Sequence, residues 1–200
     1  MPQASHDVIG THLKHSLAAL ERAVGNATML TSARKIADVI VAALRSGHKL
    51  LIVGNGGSAA DAQHIAAEIV GRYKKNRPAF AAIALTTDTS ALTAIGNDFS
   101  FEEIFSRQIA GLGRRGDVLL ALSTSGRSAN ILTALRVGHE HGLITVGCTG
   151  IKGAAMGVAC NHLLVVPSDD TPIIQQIYMT VLHAICDEVE QALMRDPPRK

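Results

Sequence analysis

Five short clusters in this 200-residue chain hold residue types that do chemistry at useful spacings. Two are rich in glycine and hydroxyls: Gly54-Asn55-Gly56-Gly57-Ser58 and Ser123-Thr124-Ser125-Gly126-Arg127-Ser128. Such loops suit an anion. Glycine lets the backbone approach closely, helix N-terminal N–H groups point at the ligand, and Ser/Thr hydroxyls donate to phosphate oxygens. Glycine and serine also simply make turns and caps. Two loops in equivalent positions, one carrying four hydroxyls in six residues, point instead to a phosphate or phosphosugar site. The third cluster is His64 and Glu68, which share one helix face at a spacing of four. They could hold a metal ion, act as a base with its orienting partner, or form an ordinary surface pair. In the fourth, Gln175 and His183 are polar positions among Ile173, Ile174, Ile177, Val181, Leu182 and Ile185. A lone histidine in such a setting is often a satisfied core residue. The fifth, Asn97-Asp98 after Gly96, reads either as a turn or as a pair that binds hydroxyls. His6, His12, His15, His48, His139, His141 and His162 show no ligand spacing.

The elements that must position these clusters follow from hydrophobic period. Ile9, Leu13, Leu17, Leu20 and Val24 predict an amphipathic helix, and Ile36, Ile40 and Leu44 predict a second from Ser32 to Ser46, ended by Gly47. Strand-like runs follow at Lys49–Val53, Phe80–Leu85, Asp117–Leu122, Leu143–Cys148 and Leu163–Val166. Helical stretches separate them at Ala59–Arg72, Phe101–Leu112 and Ala129–His141, with a short one near Ala154. This alternation calls for a parallel sheet flanked by helices, and the unbroken runs LLIV and VLLAL suit strands buried on both faces. A final helix starts at Thr171-Pro172, with Thr171 as cap, and stops before Asp196-Pro197-Pro198. The expected architecture is one α/β domain over residues 1–200: a doubly wound, five-stranded parallel sheet. Two N-terminal helices (to about residue 47) and a long C-terminal helix complete it. Both glycine/hydroxyl loops then fall at the carboxyl ends of strands, where open α/β sheets bind ligands.

Composition narrows the partners. A net charge of +2 gives no reason to expect nucleic acid or an anionic membrane surface. Hydrophobic residues make up 47% but aromatics only 3%, so the core must be aliphatic. A mean hydropathy of +0.21 points to apolar surface buried between subunits. Cys148, Cys160 and Cys186 are odd in number and lack CxxC spacing, which fits buried thiols in a reducing compartment. No secretory signal or membrane-length apolar run is apparent, so a soluble, cytoplasmic protein is expected. Gly54, Gly56 and Ala59 also match G-x-G-x-x-A, a dinucleotide signature. Its acidic partner, Asp88, falls some ten residues too late, and the second loop has no role in that scheme. No nucleotide cofactor is expected.

The stretches GNGGSAADAQHIAAEIVGRY, ALTTDTSALTAIGNDFSFEEIFSRQI, GDVLLALSTSGRSANI and VPSDDTPIIQQIYMTVLHAI resemble the phosphoheptose (sedoheptulose-7-phosphate) isomerases, a family with the SIS, or sugar isomerase, fold. The likeness covers nearly the whole chain. It implies a homotetramer that interconverts sedoheptulose 7-phosphate and D-glycero-D-manno-heptose 7-phosphate through an enediol. That reaction opens the route to activated heptoses for lipopolysaccharide and other glycoconjugates. By position, the resemblance implies substrate contacts at Asn55, Gly56, Gly57, Ser58, Glu68, Asn97, Asp98, Ser123, Thr124, Ser125, Ser128 and Gln175. It implies one Zn²⁺ per subunit on His64, Glu68, Gln175 and His183, with Glu68 and His183 as the acid/base pair.

Where that family has Gln-Glu followed two residues later by His, this chain has Gln175-Gln176 and Tyr178. A non-catalytic alternative is also similar: a replication-initiator-associating SIS protein that shares the TDTSALTAIGND stretch. The presence of Glu68 and His183 favours the enzyme. Gln175 and His183, eight residues apart, would sit about 12 Å apart along one helix. Supplying one of them from a neighbouring subunit would relieve that distance, so a shared site is expected.

Overall fold

The structure, a computed structural model, describes residues 7–196; His6 and the Pro197-Pro198 stop lie outside them. Five strands form one wholly parallel sheet: β1 (Leu50–Gly54), β2 (Ala82–Ala84), β3 (Val118–Leu122), β4 (Ile144–Gly150) and β5 (His162–Val166). Their order is β2-β1-β3-β4-β5. Chain direction across the sheet therefore reverses between β1 and β3, the switch point where doubly wound sheets open a crevice. Every residue of β1 and β3 is buried, because alternate side chains enter two separate cores. Leu50, Ile52, Leu120 and Leu122 pack beneath α2 (Ala27–Arg45), α3 (Gly57–Val70) and α7 (Thr171–Arg195). Leu51, Val53, Leu119 and Ala121 face α4 (Thr89–Asp98), α5 (Ser106–Leu112) and α6 (Ala129–Glu140).

Several boundaries differ from the sequence expectation for local reasons. The second helix starts five residues early, at Ala27, because Asn26 accepts the N–H of Met29 as an N-cap. The single helix expected over Phe101–Leu112 is instead a 3-10 turn, Phe101–Glu103, followed by α5. Ahead of them lies α4, which the hydrophobic period does not reveal because it buries no residue fully. Its readable signal is Asp88, whose carboxylate accepts the N–H of Ala91. The short helix near Ala154 is a 3-10 segment, Ile151–Ala159. At α7 the cap position is Asp170, not Thr171, and Pro172 occupies the first turn.

The larger departure concerns α1 (Val8–Val24). Its apolar stripe is real but faces outward: Ile9 is 77% exposed and Leu17 59%, while Ala19 and Ala23 make the inward contact. An apolar groove runs beside it between α1, α2 and α7, lined by Leu20, Val24, Met29, Leu30 and Val181. Among the described residues no helix is long and apolar enough to cross a membrane.

One buried ion pair ties α7 to the connection after α3. Arg77 and Glu190 each have 1% side-chain exposure and meet at 3.0 Å. The Glu190 carboxylate also accepts the backbone N–H groups of Tyr73, Lys74 and Lys75 at 2.8–2.9 Å. Arg77 in turn donates to the carbonyls of Glu68, Ile69, Gly71 and Pro78, capping the α3 C-terminus. Burial raises the Glu190 pKa, but these donors outweigh it and hold the group below its ordinary value. Its stabilising effect is therefore present above the ordinary carboxylate range and lost as pH falls through the depressed value. Glu190→Ala, which strands the Arg77 charge, should lower unfolding free energy by about 3–5 kcal/mol. Chemical denaturation at neutral pH measures this, and a loss under about 1 kcal/mol would show that the pair is not structural.

Candidate active site

The crevice at the switch point is built from the two glycine/hydroxyl loops. Asn55, after β1, and Asn130, on the first turn of α6, exchange side-chain amide hydrogen bonds of 2.8 and 2.9 Å. This reciprocal pair locks the first loop to the helix that follows the second. Gly56 adopts φ +55° and is exposed, as a backbone meant to meet a ligand would be. Gly126 adopts φ +62°, and a Cβ there would fall 2.5 Å from the Gly153 carbonyl oxygen. The second loop is therefore braced against the 3-10 segment below it.

Within these loops the hydroxyls divide. Ser123 is buried and its Oγ accepts the Gly126 N–H at 3.1 Å, so it shapes the loop. Ser125 Oγ accepts the Arg127 N–H at 3.3 Å. Thr124 and Ser128 are half-buried, and their hydroxyls form no hydrogen bond among the described residues. Ser58 is 7% exposed and turned inward, its Oγ 2.8 Å from the Tyr178 hydroxyl. It serves the α3–α7 seam. Asn97 and Asp98 close the exposed end of α4, where Asn97 Nδ2 donates to Asp98 Oδ1 at 2.8 Å. No hydrogen bond joins that pair to either loop among the described residues.

Along the seam, α3 and α7 run in the same direction, Ser58 meeting Tyr178, His64 meeting His183, and Tyr73 meeting Glu190. His64 Nε2 lies 2.9 Å from His183 Nε2 and 3.3 Å from Glu68 Oε1. The two imidazoles meet edge to face, and Tyr73 stacks on His183 with ring centroids 5.9 Å apart. Donor atoms of His64, Glu68 and His183 all lie within 4.8 Å of one another. Ligands around a tetrahedral ion with bonds of about 2.0–2.1 Å stand roughly 3.4 Å apart, so the three fit one divalent cation after small side-chain shifts.

Gln175 makes its side-chain hydrogen bond elsewhere on the seam. Two turns earlier on α7, its amide donates to Asp61 Oδ2 at 2.6 Å and lies against Gly57. His64 and His183 meet within one chain. The distance between Gln175 and His183 is accommodated by giving each a different part of the seam.

Sequence reasoning did not single out Asp61, Tyr73 or Asn130. Asp61 was readable: it stands three residues before His64 and seven before Glu68, on the same helix face. Tyr73 and Asn130 gain their neighbours only through tertiary contacts. Tyr178, a departure from the family pattern, is fully buried, and burial together with its bond to Asp61 raises its pKa. Burial also pushes the Cys186 and Cys160 thiols up to about 12, in keeping with cysteines that pack rather than react.

The SIS domain family matches residues 13–150. A phosphoheptose isomerase from Bradyrhizobium sp. (strain ORS 278) is 64% identical over 98% of this chain and 99% of its own. The chain belongs to the phosphoheptose isomerase family of SIS-domain proteins. Solved members of that family superpose over nearly their whole length. The phosphoheptose isomerase of Neisseria gonorrhoeae is 40% identical, with a TM-score of 0.85 over 92% of this chain and 97% of its own. That of Francisella tularensis is 35% identical, with a TM-score of 0.89 over 94% and 100%. Family membership fits the five-stranded parallel sheet and the placement of both loops at its switch point.

Proposed function

We propose that the chain is an aldose–ketose isomerase that converts sedoheptulose 7-phosphate to D-glycero-D-manno-heptose 7-phosphate. The observation that carries this reading is the convergence of Glu68, His64 and His183 beside two anion-suited loops, in a chain so similar to named phosphoheptose isomerases. The loops at Asn55–Gly57 and Ser123–Ser128 take the phosphate end, with Thr124 and Ser128 supplying hydroxyl donors. Asn97 and Asp98 take sugar hydroxyls. Isomerisation moves one proton between C1 and C2 through an enediol. Glu68, with 23% side-chain exposure, is the group to carry it, and His183 exchanges protons with the carbonyl and hydroxyl oxygens. His64, in contact with both, orients them. A non-catalytic binding role finds no feature of the seam in its favour.

Glu68→Gln keeps the size of the side chain but removes the base. It should lower kcat by roughly 100-fold or more with little change in KM. Product formation from sedoheptulose 7-phosphate followed by NMR checks this, and near-normal turnover would remove Glu68 from the chemistry.

Zn²⁺ fits His64, Glu68 and His183, two imidazoles and a carboxylate being a set it accepts. When bound it would polarise the substrate carbonyl and stabilise negative charge on its oxygen. Elemental analysis should find about one zinc per chain, bound by the wild type and lost in His183→Ala. Chelation should depress activity; full turnover in protein verified as metal-free would restrict these residues to acid/base work.

The exposed stripe on α1 and the groove beside it support assembly of several copies, with the family resemblance pointing to a homotetramer. We place that assembly in the cytoplasm, with a phosphorylated heptose as its ligand and neither nucleic acid nor membrane as partner. Replacing Leu13 and Leu17 together with Glu should shift the protein to smaller species in light scattering. An unchanged mass would place the interface elsewhere.

A further inference from the structure

An imidazole turns about a soft bond. The torsion that sets its plane joins sp³ to sp² carbon, and its energy is broad rather than confined to staggered wells. A histidine that must aim one nitrogen therefore needs an outside constraint. Most often that is a hydrogen bond from the other nitrogen to a carboxylate or carbonyl. His183 aims Nε2 at His64 Nε2, 2.9 Å away, but its Nδ1 makes no hydrogen bond among the described residues. Something else must hold the ring.

Tyr73 is placed to do so. Its ring lies nearly parallel to the imidazole, with 22° between planes and 5.9 Å between centroids, within the range where aromatic rings attract. Tyr73 is itself held by α7. His183, Asp187 and Glu190 share one face of that helix at spacings of four and three. Glu190 Oε2 accepts the Tyr73 N–H at 2.9 Å, and its Oε1 accepts the N–H groups of Lys74 and Lys75. Asp187 Oδ2 accepts from the Lys74 ammonium at 2.6 Å, which keeps Lys74 Nζ over the Tyr73 ring, 4.9 Å from its centroid. Two carboxylates thus staple the connection after α3 to α7, and the tyrosine lies back over the histidine. The Tyr73 hydroxyl makes no hydrogen bond among the described residues, so the contact uses its flat face.

We infer that Tyr73 is a positioning residue: its ring fixes the plane of His183 so that Nε2 faces His64 and Glu68. The inference rests on the acid/base and metal reading of those three residues given above. His64 meets the same imidazole edge to face, at 72°, and limits it from a second direction. Losing the tyrosine face would free His183 to swing about its own bond while leaving its chemistry unchanged. Turnover and metal affinity should then fall together, because both need the nitrogen aimed. Substrate held by its phosphate should bind as before.

Two variants test this. Tyr73→Leu keeps apolar bulk but removes the flat face, and Tyr73→Phe keeps the face but removes the hydroxyl. Each is assayed for kcat and KM on sedoheptulose 7-phosphate. Zinc affinity is measured separately, by competition with a chromogenic chelator in metal-stripped protein. Tyr73→Leu should lower kcat about tenfold and raise the zinc dissociation constant about tenfold, with KM within about threefold of wild type. Tyr73→Phe should stay within about twofold of wild type in all three. A Phe variant as impaired as the Leu variant would assign the effect to the hydroxyl and overturn the inference. So would a Leu variant that loses neither turnover nor zinc affinity. A Leu variant whose losses vanish well below its melting temperature would be merely destabilised, which also overturns it. If wild type does not turn over the heptulose phosphate, the substrate reading fails and zinc affinity alone decides the inference. If it turns over without binding zinc, kcat decides. Wild type that does neither overturns both.

Discussion

The site depends on the register between α3 and α7, and the Arg77–Glu190 pair fixes that register. Glu190 lies seven residues beyond His183 on α7, while Arg77 holds the carbonyl of Glu68 at the end of α3. One fully buried contact thus joins the two backbones that carry the proposed acid/base groups. A slip of one helical turn, about 5.4 Å, would separate Glu68 and His64 from His183 altogether. Taking both charges out of water is costly, and the cost is offset because every acceptor lone pair of Glu190 in use meets a donor: three backbone N–H groups and the guanidinium. The same contact holds the Tyr73 ring against His183.

The sheet sets the other end of the site. Because β1 and β3 are neighbours and wholly buried, the loops leaving them emerge side by side, and the Asn55–Asn130 amide pair holds them there. The phosphate-suited backbone therefore lies on a rigid layer, and the proposed acid/base groups lie along a seam that begins at the same layer. The Asp61–Tyr178–Gln175 node joins the two parts. A substrate gripped by its phosphate at one end would have its reacting carbons delivered towards the other.

The molecule divides polar from apolar surface unevenly. The cluster of His64, Glu68 and His183 occupies the α3–α7 seam, whereas the adjoining α1 stripe presents Ile9, Leu13 and Leu17 outward. An isolated copy gains nothing from such exposure, since burying a leucine is worth about 2 kcal/mol. The seam and the groove beside the stripe share α7, whose length of 25 residues lets it line both. Assembly through the stripe would thereby stiffen the helix that carries Gln175 and His183.

The five strands, the two loops and the His64–Glu68 pair were legible from the chain because each depends on local period or short spacing. LLIV and VLLAL read as strands buried on both faces, and glycine with hydroxyls marked the turns that leave them. The resemblance to a family supplied the roles of Gln175, His183 and Asn97-Asp98, which spacing alone left open. What the chain order could not give was any relation between residues far apart in it. The meeting of His64 with His183 and of Asp61 with Tyr178, and the inward turn of Ser58, arise from contacts more than a hundred residues apart, fixed only when α7 docks on α3. Periodicity likewise showed that α1 has an apolar face but not which body that face would meet. An amphipathic pattern states that a surface must leave water; the packed structure decides against what.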